Sequence, residues 1–349
     1  MTMGQMKLCY YFYGLIFCCC FVDCTDDRQS YIDKDFPISS SLVPEDSIDL
    51  EAKGLLLPFS VASFDSCFVF SNIRVENRLS IVDKRNGKLV NTAYVGDGPD
   101  EILQYLPVGN NENKFLFADR VKGKIYDLEL YSDYTYRQVI QLDDSINRFY
   151  SMAVLDSTTI IGTGMFDKGR FLIYNTAIGT STYEEEYPSN REIEPLLPYQ
   201  KAALFAGTLI AVHPNRDKFV AAYKGLIDFY VIGENQRLTP ITHKIYHFPL
   251  FAIPEKGPVI AHKKEETTGF LSLSYDSSYI YLLYSNTSLL EKGSSTFSGN
   301  IILVYDWNGT PIKRYVLTND ILSICVENNA VWGVGENHRY LYKYKLTTK

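Results

Sequence analysis

The chain has 349 residues, of which 46% are hydrophobic and 21% are charged, a composition that excludes an intrinsically disordered protein. The formal net charge is −7, and no basic cluster is longer than the pair Lys263–Lys264. Nucleic-acid binding needs a concentrated basic face, so this charge argues against it. The 27 tyrosines and 20 phenylalanines favour β-strands.

Residues 1–24 have the features of an export signal. The apolar run Leu8–Val22 is shorter than the roughly 20 residues that span a bilayer. Cys24 follows it and the sequence then becomes polar, which is similar to a bacterial lipoprotein signal in which that cysteine is lipidated. Asp23 departs from the small residue usual before the cysteine, so Cys20 is the alternative. A plain secretory signal or an uncleaved anchor stays open. We predict an exported outer-membrane lipoprotein on the periplasmic or cell-surface side.

Residues 25–47 are rich in Ser, Asp and Pro and show no hydrophobic periodicity. This composition predicts a flexible tether between the membrane and the folded part. The remaining residues, 48–349, are predicted to form one domain. Only Cys67 and Cys325 fall within it, and we expect both to be buried free thiols.

From Leu55 onward, short apolar runs alternate with turn signals, and no segment of appreciable length has the helical period. A unit of four strands, in which a polar turn joins the apolar third strand to the fourth, recurs about every 52 residues. This is the pattern of β-propeller blades. Asn-Gly in "RNGK" and "WNGT" marks hairpins. We predict an all-β, six-bladed β-propeller of four-stranded antiparallel blades. The alternative is a large β-sandwich or jelly roll.

The last blade lacks one strand, because the chain ends soon after "RYLYKYKL" (Arg339–Leu346). The segment Ser47–Leu56, which precedes the first blade, is predicted to supply the missing outermost strand. A ring closed in this way leaves no edge exposed at the seam.

Three features together resemble the TolB-like six-bladed propeller lipoproteins of gut Gram-negative anaerobes. They are the cysteine-rich export segment, the "GDGPDE" loop (Gly96–Glu101) and the closing pair "ILVYDWNGTPIKRYVL" and "ILSICVENNAVWGVG". The resemblance covers residues 50–349 and implies a propeller on the periplasmic or outer face of the outer membrane. It implies no catalytic residues.

Motifs of known enzymes are missing from the sequence. There is no HExxH, P-loop, GxSxG or Asp-box, and there are no CxxC pairs and only five histidines. We therefore assign no catalytic residue, expect neither a metal site nor a cofactor, and consider a metal role for His243, His247 and His262 improbable.

Propeller geometry places the loops between second and third strands on one face, together with the links between blades. These loops are predicted at Ser71–Asn77, Ala118–Gly123, Gly164–Arg170, Tyr223–Leu226, Ser285–Asn300 and Gly335–Arg339. The fifth loop is Ser/Gly-rich and is predicted to be disordered. Charged side chains in the other loops and in the first link are candidate ligand-binding residues: Arg74, Asp97, Asp100, Glu101, Asp119, Arg120, Asp167, Lys168, Lys224, Glu336 and His338.

Two functions follow from this arrangement. In the first, a monomeric, lipid-tethered module binds an unidentified protein or carbohydrate through the channel face. In the second, a glycan lyase, lactonase-type hydrolase or glycosidase uses carboxylates at the channel mouth, with Asp119 and Asp167 as the best pair. The absence of catalytic motifs favours binding. We interpret "GDGPDE" as a tight corner between blades more than as a site.

Overall fold

A computed structural model of the chain describes residues 27–109, 114–131, 133–144, 147–254 and 260–347. The predicted lipidation sites Cys20 and Cys24 lie outside these ranges. The helices are α1 (Asp27–Asp35), α2 (Pro198–Phe205) and α3 (Leu289–Lys292), with 3₁₀ turns at Glu234–Gln236 and Gly293–Phe297. Among the described helices, none has the length and apolar character needed to span a membrane.

The strands follow one another in small groups separated by turns and links. In chain order they are β1 (Ser39–Leu42), β2 (Asp46–Asp49), β3 (Pro58–Phe64), β4 (Cys67–Asn72), β5 (Asn77–Asp83), β6 (Leu89–Tyr94), β7 (Tyr105–Gly109), β8 (Phe115–Asp119), β9 (Lys124–Leu128), β10 (Tyr136–Gln141), β11 (Phe149–Val154), β12 (Thr159–Gly164), β13 (Phe171–Asn175), β14 (Thr180–Glu184), β15 (Leu209–Val212), β16 (Lys218–Tyr223), β17 (Gly225–Ile232), β18 (Leu238–His247), β19 (Phe251–Ala252), β20 (Ala261–His262), β21 (Thr267–Tyr275), β22 (Tyr279–Ser288), β23 (Gly299–Asp306), β24 (Pro311–Glu327), β25 (Ala330–Gly335) and β26 (Tyr340–Lys345).

These strands form the six four-stranded antiparallel blades that the repeat predicts. Blades 1 to 4 are β3–β6, β7–β10, β11–β14 and β15–β18. Blade 5 contains β21–β23 and the first half of β24, and blade 6 contains the second half of β24 with β25, β26 and β2. The innermost strands of blades 2 and 3 pair in parallel, Met152 opposite Val108, which joins the two blades into one sheet.

The amino-terminal segment closes the ring as predicted, although its strand is shorter than expected. β2 pairs antiparallel with β26, from Asp46 opposite Lys343 to Asp49 opposite Tyr340. A turn follows at once, in which the Leu55 N–H donates to the Leu50 carbonyl (2.9 Å). The first and last parts of the chain therefore share blade 6.

The core is divided among the seams between adjacent blades. Six apolar clusters correspond to the six seams, and the seventh lies over one end of blade 4. Strands in the middle of a blade are covered on both sides, so every residue of β4 is buried, whereas most residues of the outer strand β10 are not. This explains why the central strands read as continuous apolar runs.

The two cysteines of the propeller occupy this core. Cys67 and Cys325 are buried free thiols, as predicted. Burial raises the pKa of both thiols, which keeps them protonated.

The amino-terminal segment is the main departure from the sequence prediction, which assigns residues 25–47 to a flexible tether. Ile32 and Phe36 are 1% and 4% exposed and pack into the cluster between blades 4 and 5. Asp35 accepts hydrogen bonds from Lys244 (2.9 Å) and the Tyr246 hydroxyl (2.8 Å). β1 then pairs in parallel with the first half of β24. The few apolar residues of a polar segment thus fasten it to the propeller.

Two further elements were not predicted. The link between blades 3 and 4 contains α2, which begins at Pro198 and is capped by Gln200, whose side chain accepts from the Leu197 N–H (3.0 Å). Eight residues are too few to produce a recognisable helical period. The blade-5 loop, predicted to be disordered, contains α3, where Ser288 and Glu291 form a reciprocal capping box. Thr296 in that loop is 1% exposed.

Residues 235–265 include a strand, because β18 occupies ten of them. Described residues after β18 cover one end of blade 4. Phe248, Phe251 and Ile260 pack there against Tyr223 and Leu226.

Candidate functional site on the link face

We use the name link face for the face that carries the loops between second and third strands and the links between blades. Each predicted loop is found between the expected strands. The loops are residues 73–76, 120–123, 165–170, 224, 289–298 and 336–339. The candidate residues therefore lie on this face or just beneath it, and their burial decides which of them can meet a ligand.

Asp119 is buried and accepts hydrogen bonds from backbone N–H groups. It is 0% exposed. Its carboxylate accepts from the backbone N–H groups of Leu103 (2.8 Å), Gln104 (3.2 Å), Val121 (3.0 Å) and Lys122 (3.2 Å). It joins the blade 1–2 link to the blade-2 loop, so it is not presented to a ligand.

The other candidates on blades 2 and 3 are at the surface. Asp167 and Lys168 are exposed, and the Lys168 ammonium lies 5.7 Å from the centre of the Tyr183 ring. The Arg120 guanidinium lies 3.8 Å from the centre of the Tyr150 ring. The structure therefore presents Asp167 but not Asp119 to solvent, and it does not support the predicted pair of catalytic carboxylates.

The "GDGPDE" loop is a corner fixed by its own polar groups. Glu101 accepts from the Gly98 N–H (2.7 Å), and Lys122 donates to the Gly98 and Glu101 carbonyls (2.7 and 2.9 Å). Asp97 is 86% exposed and lies 3.8 Å from the Lys122 ammonium. Asp100 is exposed, and its carbonyl accepts from the Tyr136 hydroxyl. The interpretation of this loop as a corner agrees with these bonds.

Gly96 leaves room for the Glu101 carboxylate in that corner. A Cβ atom at this position would overlap the Glu101 carboxylate. Any other residue would therefore displace the group that holds the turn.

Lys224 is held by a buried carboxylate. Its ammonium lies 3.1 Å from Glu266, which also contacts His262 (2.9 Å) and accepts from the Leu250 N–H (3.0 Å). Burial alone raises the pKa of Glu266, but the His262 hydrogen bond and the Lys224 charge outweigh it, and the net pKa lies below the usual value. The cluster fastens the blade 4–5 link to blade 4.

The blade-6 candidates adjoin the closure seam. His338 lies 2.8 Å through Nδ1 from the Pro58 carbonyl, and so connects the blade-6 loop to the start of blade 1. Glu336 is partly exposed, and its backbone N–H donates to the Asp320 carbonyl (3.1 Å). Glu336 is the more available of the two for a ligand.

Two candidates come together at an open cavity of about 730 Å³ beside blade 1. Arg74, whose φ is 56°, and Glu101 are the predicted residues that line it. The other lining residues are Val75, Glu76, Arg78, Tyr94 and Val95.

Arg78 is held beneath the cavity surface. It donates through Nη2 to the Leu103 carbonyl (3.2 Å), and its Nε is buried without a hydrogen-bond partner among the described residues. The sequence did not indicate Arg78 and Tyr94, because both lie within strands and the candidate residues were predicted only in the loops and in the first link.

Exposed apolar side chains are concentrated on the link face. Among the described residues, 23 large hydrophobic side chains are exposed, and 13 of these lie in links, in link-face loops or at adjoining strand ends. They are Leu56, Leu57, Phe59, Tyr94, Val95, Val121, Tyr150, Leu197, Tyr199, Ile253, Leu289, Leu290 and Phe297. Hairpins of the opposite face expose Tyr131, Ile178 and Tyr279. Exposed apolar side chains that gather on one face are a feature that interaction surfaces share.

A second charged cluster lies in the seam between blades 3 and 4. Arg170 and Asp228 are 2% and 3% exposed and pair through Nη1 and Oδ2 (2.5 Å). Asp228 also contacts His243 Nδ1 (2.7 Å), and this hydrogen bond raises the pKa of His243. Burial raises the pKa of the neighbouring Glu185. Within the described ranges, no group of three or more His, Cys, Asp and Glu residues could hold a metal ion.

Comparison with known proteins identifies the family. No curated protein matches the chain. Among solved structures, the β-propeller domain of Cps50 (Swd1) from Myceliophteria thermophila is similar, with 11% identity, a TM-score of 0.44, and coverage of 88% of this chain and 100% of that one. The computationally designed protein Ika8 is also similar, with 9% identity, a TM-score of 0.44 and the same coverage of 88% and 100%.

The model of the family described as TolB-like 6-blade propeller-like matches residues 35–329. This range extends from the end of α1 to the inner hairpin of blade 6. The chain therefore belongs to the TolB-like six-bladed propeller family.

Proposed function

We propose that this propeller is an exported, lipid-anchored binding module that recognises a protein partner through the link face. The observation that carries the proposal is the concentration of exposed apolar side chains on that face. An exposed apolar surface is unfavourable in water unless a partner covers it.

The blade-1 cavity supports a protein partner in particular. Arg74 and Tyr94 are exposed there, and Tyr94 retains 50% of its surface. Arg and Tyr are enriched among the residues that dominate protein–protein binding, because each combines a large contact area with polar groups. Glu76 and Glu101 line the same cavity and provide carboxylates for basic groups of the partner. The proposed contact surface thus combines exposed apolar side chains with a cavity lined by charged residues of both signs.

Photocrosslinking at single positions tests this proposal. We expect benzoylphenylalanine in place of Tyr94 or Leu290 to capture the same protein in cells, and the same group in place of Ile178 or Tyr279 to capture none. For the captured partner, Arg74→Ala and Tyr94→Ala should each weaken binding about ten-fold or more, as central interface residues do. Capture only from Ile178 or Tyr279 would contradict the proposal. Binding of a glycan on an array, with no captured protein, would favour a carbohydrate ligand instead.

The lipid anchor is a separate part of the proposal and rests on the amino-terminal sequence pattern. Radiolabelled palmitate should enter the wild-type protein, and the label should be lost in Cys24→Ala because the acceptor thiol is gone. Cys67→Ala is the control, since this buried thiol is remote from the signal. Labelling that survives Cys24→Ala but not Cys20→Ala would move the anchor to Cys20. No labelling of the wild type would leave a plain export signal.

A further inference from the structure

A cavity of about 390 Å³ lies in the seam between blades 6 and 1, and hairpins of the face opposite the link face contribute to its lining. Its apolar wall consists of Ile48, Phe68, Val82 and Trp332. The volume is in the range of small-molecule sites, which combine apolar walls with a few polar groups.

The wall presents an aromatic surface. The rings of Phe68 and Trp332 meet edge to face with their centres 4.8 Å apart. Trp332 is partly exposed, whereas the other tryptophan, Trp307, is 4% exposed in the core between blades 4 and 5. An aromatic ligand can therefore pack against Trp332 without rearrangement of the core.

Most of the charges around the cavity already have partners. Lys84 and Glu327 form an ion pair (2.6 Å), and Ser63 is hydrogen-bonded to both (2.8 and 2.7 Å). Asp83 is bound by Arg85 (2.6 Å). These groups neutralise one another and leave little net charge for a ligand.

Lys53 and Asp65 are the remaining charges. Both line the cavity and are exposed, and neither side chain has a hydrogen bond or ion pair with another described residue. A Cβ atom built on Gly87 would lie 3.0 Å from the Lys53 ammonium, which places that ammonium over the blade-1 hairpin. Among the described residues that line the cavity, Lys53 and Asp65 therefore carry the charges without a partner, and they lie beside an aromatic wall.

We propose that this cavity binds a free amino acid with an aromatic side chain. The ligand's carboxylate pairs with Lys53, its ammonium pairs with Asp65, and its ring packs against Trp332. Both charges of a zwitterion are matched, whereas a ligand with one charge leaves Lys53 or Asp65 without its counterion. This site is separate from the link face and does not depend on the function proposed for it.

L-Phenylalanine is the probe, titrated into the full-length chain while tryptophan emission and the thermal midpoint are recorded. We expect a saturable change in emission and a rise in the midpoint, because a ligand that binds only the folded state stabilises it. 2-Phenylethylamine lacks the carboxylate and 3-phenylpropionate lacks the ammonium, so each should bind about ten-fold more weakly or worse.

Matched variants locate the site. Lys53→Ala and Asp65→Asn should each weaken phenylalanine binding about ten-fold, and Lys88→Ala, an exposed lysine outside the cavity, should leave it unchanged. Trp332→Phe should keep the rise in the midpoint and lose the emission change. The proposal is overturned by no response to phenylalanine up to its solubility limit, by equal binding of the singly charged analogues, or by an emission change that persists in Trp332→Phe.

Discussion

Replacing Asp119 by alanine should lower the free energy of unfolding by at least about 3 kcal/mol. The substitution leaves four backbone N–H groups of a partly buried corner without their acceptor, at Leu103, Gln104, Val121 and Lys122. Each buried unsatisfied donor costs about 1–3 kcal/mol, and water entering the corner recovers part of that cost. Urea denaturation measures the change through the midpoint and slope.

Asp167→Ala is the matched control, because Asp167 is an acidic residue of the equivalent loop on the next blade and is exposed. Its effect should stay within about 0.5 kcal/mol. Asp119→Asn keeps one acceptor oxygen and should fall between wild type and Asp119→Ala. Unchanged stability in Asp119→Ala would contradict the structural role and reopen the hypothesis of a catalytic pair with Asp167.

Arg170→Met should lower the free energy of unfolding by about 3–5 kcal/mol, the usual effect of removing one member of a buried ion pair. Asp228 is 3% exposed and would lose its guanidinium partner while still buried. The double variant Arg170→Met/Asp228→Leu should recover much of this loss, because neither charge remains buried. Arg120→Ala, which loses a contact with the exposed Tyr150 ring, should cost less than about 1 kcal/mol. A double variant no more stable than Arg170→Met would contradict this account.

Asp228 and its neighbour His243 make the stability of the folded protein depend on pH. Burial alone raises the pKa of Asp228, but Arg170 and His243 bring it below the usual 3.8. The stabilisation from ionised Asp228 is therefore complete above about pH 4. It is lost as the pH falls through the lower pKa that Asp228 has in the folded state. The pKa of His243 is raised above 6.5, mainly by its hydrogen bond to Asp228. The stabilisation from protonated His243 is present below the usual pKa of 6.5 and is lost as the pH rises through the higher pKa that His243 has in the folded state. His243→Asn should remove the loss of stability at rising pH but not the loss at low pH that comes from Asp228.

The location of the blades could be predicted because it depends on local features. The Asn-Gly turn before Lys88 forms a hairpin in which Gly87 has a φ of 70°, and the corresponding Gly309 has a φ of 81°. Such angles favour glycine whatever the surrounding fold. α2 was missed because a helix of eight residues is too short to show a period.

The candidate site was only partly predictable, because exposure depends on contacts between distant parts of the chain. Asp119 ends β8 next to the blade-2 loop and Asp167 lies in the corresponding loop of blade 3, yet the link of residues 95–104 folds over the first and leaves the second exposed. Tyr94 and Arg78 read as ordinary strand residues, and the cavity that they line exists only because that link lies beside them.

The sequence by itself determined the repeat, the position of every link-face loop and the source of the closing strand, since strand period, turn residues and chain order are local properties. The tertiary structure decided which polar residues are structural and which are available, and it placed Ile32 and Phe36 of a polar segment into the seam between blades 4 and 5. Burial is the physical reason for the difference. It is set by the neighbours that the closed ring brings together, and those neighbours can lie 280 positions apart in the chain, as Pro58 and His338 do.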